Sequence, residues 1–230
     1  SGIGLASARL FGSCGAKVVM AARSYEKLQE LAPSVSSDPA KVLCVKTDVT
    51  SEDDCRALID AAVERFGGID ILVNNAGISM RAMFKDLELK VIRSLMDVNF
   101  WGTVQCTKYA LPWLLKSKGS VVGVISIAGY SALPARTGYS ASKYAVRGFL
   151  DTIRIEQSQY SAKGKPVTTP IYHYKNVIAG YTHWYWAEKG FEEFFDREDA
   201  DFYCLQEIKL SEGQLDFSKE GYLAYWNYAE

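Results

Sequence analysis

Tyr139 and Lys143 stand four apart in GYSASKYA, a spacing that puts both side chains on one face of a helix. A phenol titrates at about pH 10 and is a poor acid or base at neutral pH, but a fixed ammonium beside it favours the phenolate. Such a pair can give a proton to an oxygen atom or take one from it. Ser126 lies thirteen positions before Tyr139, inside the apolar run GSVVGVISIAG. A hydroxyl at the C-terminal end of a strand in an open α/β sheet is placed to touch a ligand, or else caps the loop that follows. The chain opens on SGIGLASARLFG, where Gly2 and Gly4 precede the helical pattern Leu5, Ala8, Arg9, Phe11 and Gly12. Glycines there let a phosphate approach the free N–H groups of a helix start, although a surface helix that merely begins with glycines reads the same.

The elements that must position these groups are legible as a rhythm. Four short, nearly continuous apolar runs, AKVVMAA (16–22), KVLCVKTDV (41–49), IDILVNNAG (69–77) and GSVVGVISIAG (119–129), have the character of strands buried on both faces of a parallel sheet. Between them come helical patterns. The clearest spans residues 51–66, with Cys55, Leu58, Ile59, Ala62, Val63 and Phe66 on one face. Thr50 or Ser51 can cap it, Glu52, Asp53 and Asp54 suit its positive end, and Gly67-Gly68 ends it. Alternating strands and helices predict an α/β, doubly wound, mostly parallel sheet flanked by helices.

Six stretches in order, SGIG, TDVT, ILVNNAG, MDVNFWGT, the Ser126 strand end and GYSASKYA, together resemble the short-chain dehydrogenases/reductases over residues 1–156. The resemblance implies a Rossmann-like fold and hydride transfer between a nicotinamide cofactor and a carbonyl or secondary alcohol. Tyr139 would then be the acid or base, Lys143 its charged neighbour and Ser126 the holder of the substrate oxygen. Asn99 resembles the family's helix asparagine, which supports a water relay to the lysine; a buried amide bonding the backbone is the equal alternative. Gly2, Ile3 and Gly4 would cradle pyrophosphate, and Asn75, Ala76 and Gly77 would carry the cofactor past a strand end. Asp48 with Val49 would meet the adenine, unless Asp48 only shapes a turn. Arg23 follows the second family strand in AARS, a stretch with no acid to bind ribose hydroxyls, so NADP is favoured over NAD. The family's first strand and first glycine would precede Ser1, so the sheet is expected to be incomplete at its N-terminal strand. Pyrophosphate binding is then the step expected to suffer.

After residue 156 the pattern changes. A polar stretch with Gly164, Pro166 and Pro170 reads as a linker, which makes residues 157–188 irregular and residues 189–230 a separate α/β appendage. There FYCLQEIK resembles the exonuclease III-like AP endonucleases, with Glu207 matching a magnesium-binding glutamate and Asn176 only a faint echo of a second motif. A solvated strand end is the plainer reading of Glu207. His173 and His183 lack a carboxylate or cysteine at metal-ligand spacing, and Trp184, Tyr185 and Trp186 sit in acidic surroundings that disfavour nucleic acid. The alternatives to an oxidoreductase are thus a chimeric chain carrying a fragment of a Mg-dependent DNA repair endonuclease, or a non-catalytic α/β protein.

Composition sets the outer bounds. Its 230 residues, 48% hydrophobic and 23% charged, suffice for a sizeable core. A formal net charge of -1 gives no broad cationic surface for nucleic acid or membrane. Five scattered cysteines suggest neither disulfide framework nor zinc site and fit a reducing, cytoplasmic compartment. No apolar run approaches the roughly 20 residues that span a bilayer. The expected partner is a small carbonyl or alcohol substrate, and a homo-oligomer is compatible with the composition.

Overall fold

A computed structural model of the chain describes residues 2–162, 180–181 and 205–206. The chain divides into two compact units, Ser1–Tyr172 and His173–Glu230. In the first, the order is α1 (Gly2–Ser13), β1 (Val18–Ala22), α2 (Tyr25–Leu31), β2 (Val42–Lys46), α3 (Glu52–Phe66), β3 (Ile71–Asn74), α4 (Leu89–Leu95), α5 (Gly102–Ser117), β4 (Ser120–Gly123) and α6 (Thr137–Ala162). A π-helical turn, Met96–Trp101, joins α4 to α5.

Each apolar run became a strand of four or five residues, and both pairings are parallel. Val18–Ala22 aligns with Val42–Lys46 in register, and Ile71–Asn74 aligns with Ser120–Gly123. Thr47 N donates to Ala22 O and Val124 N to Asn74 O, so each ladder runs one step past its strand. Parallel strands require long crossovers, which α2 and the α4–α5 segment supply. The expected incompleteness of the sheet takes a definite form: two parallel pairs, β1–β2 and β3–β4, with no strand among the described residues hydrogen-bonded to both.

Side-chain packing links what the ladders do not. Cys55, Leu58 and Cys106 are buried together against Val19 of β1, Val45 of β2 and Leu72 of β3, so the α3–α5 layer covers both pairs. A second cluster, Ile59, Ala110, Leu114, Val121 and Ile153, joins α3, α5, β4 and α6. Leu95 and Leu114 are wholly buried, and each such side chain contributes about 1.5–3 kcal/mol of transfer free energy. Leu5 and Ala8 fasten α1 to Met20, Leu28 and Val35 beside β1.

Local chemistry explains the bounds of α3. Ser51 Oγ accepts from Asp54 N at its start, three acids occupy its first turn, and Gly67 ends it at φ +84°, a conformation glycine adopts without steric cost. In the second unit Gly180–Tyr181 pairs in parallel with Leu205–Gln206. Asn176, His173, His183, Trp184, Tyr185, Trp186 and Glu207 lie outside the described residues. No described helix is long and apolar enough to cross a membrane.

Candidate functional site

The C-terminal ends of β3 and β4 converge on the first turns of α6. Lys143 is 6% exposed, and its Nζ donates to Val124 O at 2.8 Å, just past β4. Burial without a carboxylate partner pulls its pKa down from 10.5 to about 8. The ammonium lies 5.8 Å from the centroid of the Tyr139 ring, one helical turn back. The predicted face of α6 therefore brings the phenol and the amine together, with the amine inside and the phenol half-exposed.

Gly77 is the other wall of that pocket. A Cβ there would meet Asn99 Oδ1 at 3.4 Å and Lys143 Nζ at 3.5 Å, so the backbone of the Asn75-Ala76-Gly77 turn passes directly over both groups. Asn99, 1% exposed, clamps the turn's continuation. Its Oδ1 accepts from Ile78 N at 2.8 Å, and its Nδ2 donates to Ile78 O at 3.0 Å and to Ser142 Oγ at 2.9 Å. Ser142 Oγ in turn donates to Tyr139 O at 2.8 Å. The amide of Asn99 thus bonds backbone on one side and α6 on the other. Its place in a π-helical turn displaces the regular α-helical ladder at the one point where the side chain must reach across.

Replacing Asn99 by Leu keeps the volume but removes the side-chain partner of Ile78 N and O, which stand in a partly buried setting, and leaves Ser142 Oγ without its donor. The expected result is a loss of about 1–2 kcal/mol in denaturant unfolding. An unchanged midpoint would show that water restores the lost bonds.

Ser126 sits three residues beyond β4, half-buried. Its Oγ accepts from Ala128 N at 3.2 Å and starts a short 3₁₀ turn, Ile127–Gly129. That is the loop-capping arrangement, and it uses only the oxygen's acceptor capacity. The hydroxyl proton stays available to a second oxygen.

Gly4 of α1 meets Asn75, the residue that follows β3. A Cβ on Gly4 would approach Asn75 Nδ2 to 2.6 Å, so a larger residue there would force that amide to move. Gly2, at φ +57°, and Ile3 form the first residues of the helix, where backbone N–H groups lack helical partners. Asp48, beyond β2, accepts from Thr50 N at 3.0 Å and Thr50 Oγ1 at 2.8 Å. Those bonds, with a smaller attraction from Arg23, hold its carboxyl below the ordinary value. Val49 faces inward, its side chain against Gly102. Arg23 is exposed immediately after β1.

A dinucleotide fits this arrangement in its donor set. Free N–H groups and a glycine approach stand at the start of α1, a small-residue turn passes at β3, a buried ammonium lies under Gly77, and Arg23 and Asp48 flank the end of β1. Among the described residues no group of three His, Cys, Asp or Glu could hold a metal ion.

Sequence reasoning missed Ser142, Ile78 and Arg136 as members of the site. Ser142 shares the helical face of Tyr139 at three residues' spacing, which was a usable signal; Arg136, in the turn before α6, and the Ile78 backbone gave none.

The family model for short chain dehydrogenases matches residues 1–170. That match ends before residues 189–230, and it gives no support to the nuclease resemblance expected there. The 11-beta-hydroxysteroid dehydrogenase A of Sesamum indicum is 39% identical over 158 residues, 68% of this chain and 45% of that protein. The chain thus spans about half the length of that relative. Among solved structures, the alcohol dehydrogenase of Thermococcus sibiricus complexed with 5-hydroxy-NADP superposes with TM-score 0.63 at 25% identity, covering 67% of this chain and 66% of that one. A short chain dehydrogenase/reductase from Burkholderia phymatum in complex with NAD superposes with TM-score 0.62 at 28% identity, covering 67% and 57%.

Proposed function

Because the chain belongs to the short-chain dehydrogenase family, we propose that it binds a nicotinamide dinucleotide, NADP(H) in preference to NAD(H), and interconverts a small carbonyl compound and a secondary alcohol. The observation that carries this reading is the Tyr139–Lys143 pair: a phenol at the surface of the pocket with a buried ammonium behind it and the Gly77 turn above.

Bound nicotinamide supplies or accepts the hydride. Tyr139 Oη gives its proton to the carbonyl oxygen in reduction and takes it from the alcohol in oxidation. Ser126 Oγ, whose acceptor role is filled by Ala128 N, donates to the same oxygen and fixes its position. Lys143 keeps a positive charge behind the phenol and presents its remaining N–H donors to a ribose beside Gly77. Asn99 contributes by holding Ile78, and with it the turn that would cover the ribose. Gly2, Ile3 and Gly4 would meet the pyrophosphate, and Asp48 and Val49 would border the adenine.

The NADP preference rests on Arg23. The residue directly after β1 is a cation, and AARS contains no carboxylate to bond ribose hydroxyls or repel a phosphate. Titrating the protein with NADPH should give a saturable rise in nicotinamide fluorescence; no saturation at millimolar cofactor would sink the reading. Arg23→Glu should shift the NADPH-to-NADH affinity ratio toward NADH by about 10- to 100-fold, the worth of a hydrogen bond between charged groups. An unaltered ratio would remove Arg23 from the 2′-phosphate site.

A further inference from the structure

Arg136 stands beside the reacting phenol, at its mouth instead of its floor. Its guanidinium lies 5.9 Å from the Tyr139 ring centroid, nearly the distance at which Lys143 stands. Lys143 is enclosed, whereas Arg136 is half-buried. Arg136 Nη1 donates to Ser79 Oγ, which anchors the guanidinium to the segment leaving the Gly77 turn.

The backbone around it is held in an unusual shape. Ala135 has φ +61°, a left-handed conformation that costs an alanine about 1–2 kcal/mol. Ala82 N donates to Ala135 O at 3.0 Å, and Arg136 N donates to Leu133 O at 3.1 Å. One bond from a separate segment, at Ala82, and one within the turn itself therefore hold this strained residue, and the next side chain lies against the Tyr139 ring and Ser79. Backbone strain of this kind persists where surrounding structure over-determines it.

Among the described residues no carboxylate pairs with Arg136: the ion pairs there are Lys90–Glu88 and Arg147–Asp151. An oriented guanidinium with an unmatched charge and N–H donors to spare suits an oxyanion, to which its planar fork can bond in two places.

We propose that Arg136 is a specificity-determining residue which selects a carbonyl substrate carrying an anionic group, a carboxylate or a phosphate, close to its carbonyl. This rests on the oxidoreductase reading above. The anion binds Arg136 while the carbonyl oxygen sits between Ser126 and Tyr139, so the same contact raises affinity and points the carbonyl at the phenol.

The test is NADPH consumption with three related ketones: a keto acid, its methyl ester and the matching keto phosphate. For the native protein the keto acid or the keto phosphate should exceed the ester in kcat/KM by about 10- to 100-fold. The better of the two names the anion. In Arg136→Gln that ratio should collapse toward one, and in Arg136→Lys, which keeps a point charge without the fork, part of it should return. A native ratio near one, or a Gln variant that slows acid and ester equally, would overturn the assignment. Turnover of the ester without an anion advantage would strike out Arg136 alone; NADPH consumption with none of the three would strike out the oxidoreductase reading as well.

Discussion

Replacing Tyr139 by Phe is expected to lower kcat for ketone reduction by about 10²- to 10⁴-fold, the usual worth of a positioned general acid. The affinity for NADPH should stay within about twofold. The substitution is informative because it removes one oxygen and little else. The ring remains for Arg136 and Lys143 to lie against, and Ser142 still bonds the backbone of residue 139 instead of its side chain. Lys143 keeps Val124 O as its acceptor. A fall in rate can therefore be assigned to the missing proton donor and not to a disturbed pocket. Stopped-flow measurement of hydride transfer at saturating NADPH separates the two quantities. A rate within a few-fold of the native value would mean that the proton comes from another group, with the Ser126 hydroxyl, whose proton is unused by its bond to Ala128 N, as the alternative.

How far the sequence alone reaches can be judged from particular residues. The helix at residues 51–66 was legible to within a residue, because Ser51, its acids and Gly67 are local signals read within a few positions. The strands were legible as continuous apolar runs, since burial on both faces leaves no alternation to decipher. Their ends were less so: the run to residue 129 suggested a strand reaching Ser126, and the ladder stops at Gly123 with one further backbone bond from Val124. Beyond it, Ser126 already starts a short turn.

The site divides along the same line. Tyr139 and Lys143 share a helix, so their proximity follows from spacing alone. The bonds that hold the pocket together span much longer distances in the chain: 21 residues from Asn99 to Ile78, 43 from Asn99 to Ser142, and 57 from Arg136 to Ser79. Neither propensity nor periodicity carries such pairings. The separation of the sheet into two pairs is the form taken by the incompleteness expected at the family's first strand; the apolar runs alone, which read as strands of one sheet, do not show it.

Lys143 should show the opposite relation between activity and stability. Its folded pKa of about 8 lies below the ordinary 10.5 because burial penalises the ammonium. Between those values the unfolded chain binds a proton that the folded chain has released, so stability rises with pH across that interval. Below pH 8 both states carry the charge, and the full penalty of keeping it in the interior is present. Lys143→Met removes the charge while filling similar space, at the loss of the hydrogen bond to Val124 O. The variant should therefore be more stable than the native protein by about 2 kcal/mol at pH 7, and the gap should close as pH approaches 10. Its kcat should nevertheless fall by about 10²-fold or more, because no positive charge remains behind the phenol. In the native protein, turnover in the reductive direction should decline as pH rises through about 8 and the ammonium discharges. Denaturant midpoints at pH 7 and pH 10, read beside kcat for the same samples, test all three statements. A variant that is less stable at pH 7 would mean that the bond to Val124 and the packing around it outweigh the buried charge, and the amine would then be a structural element of the pocket before it is a functional one.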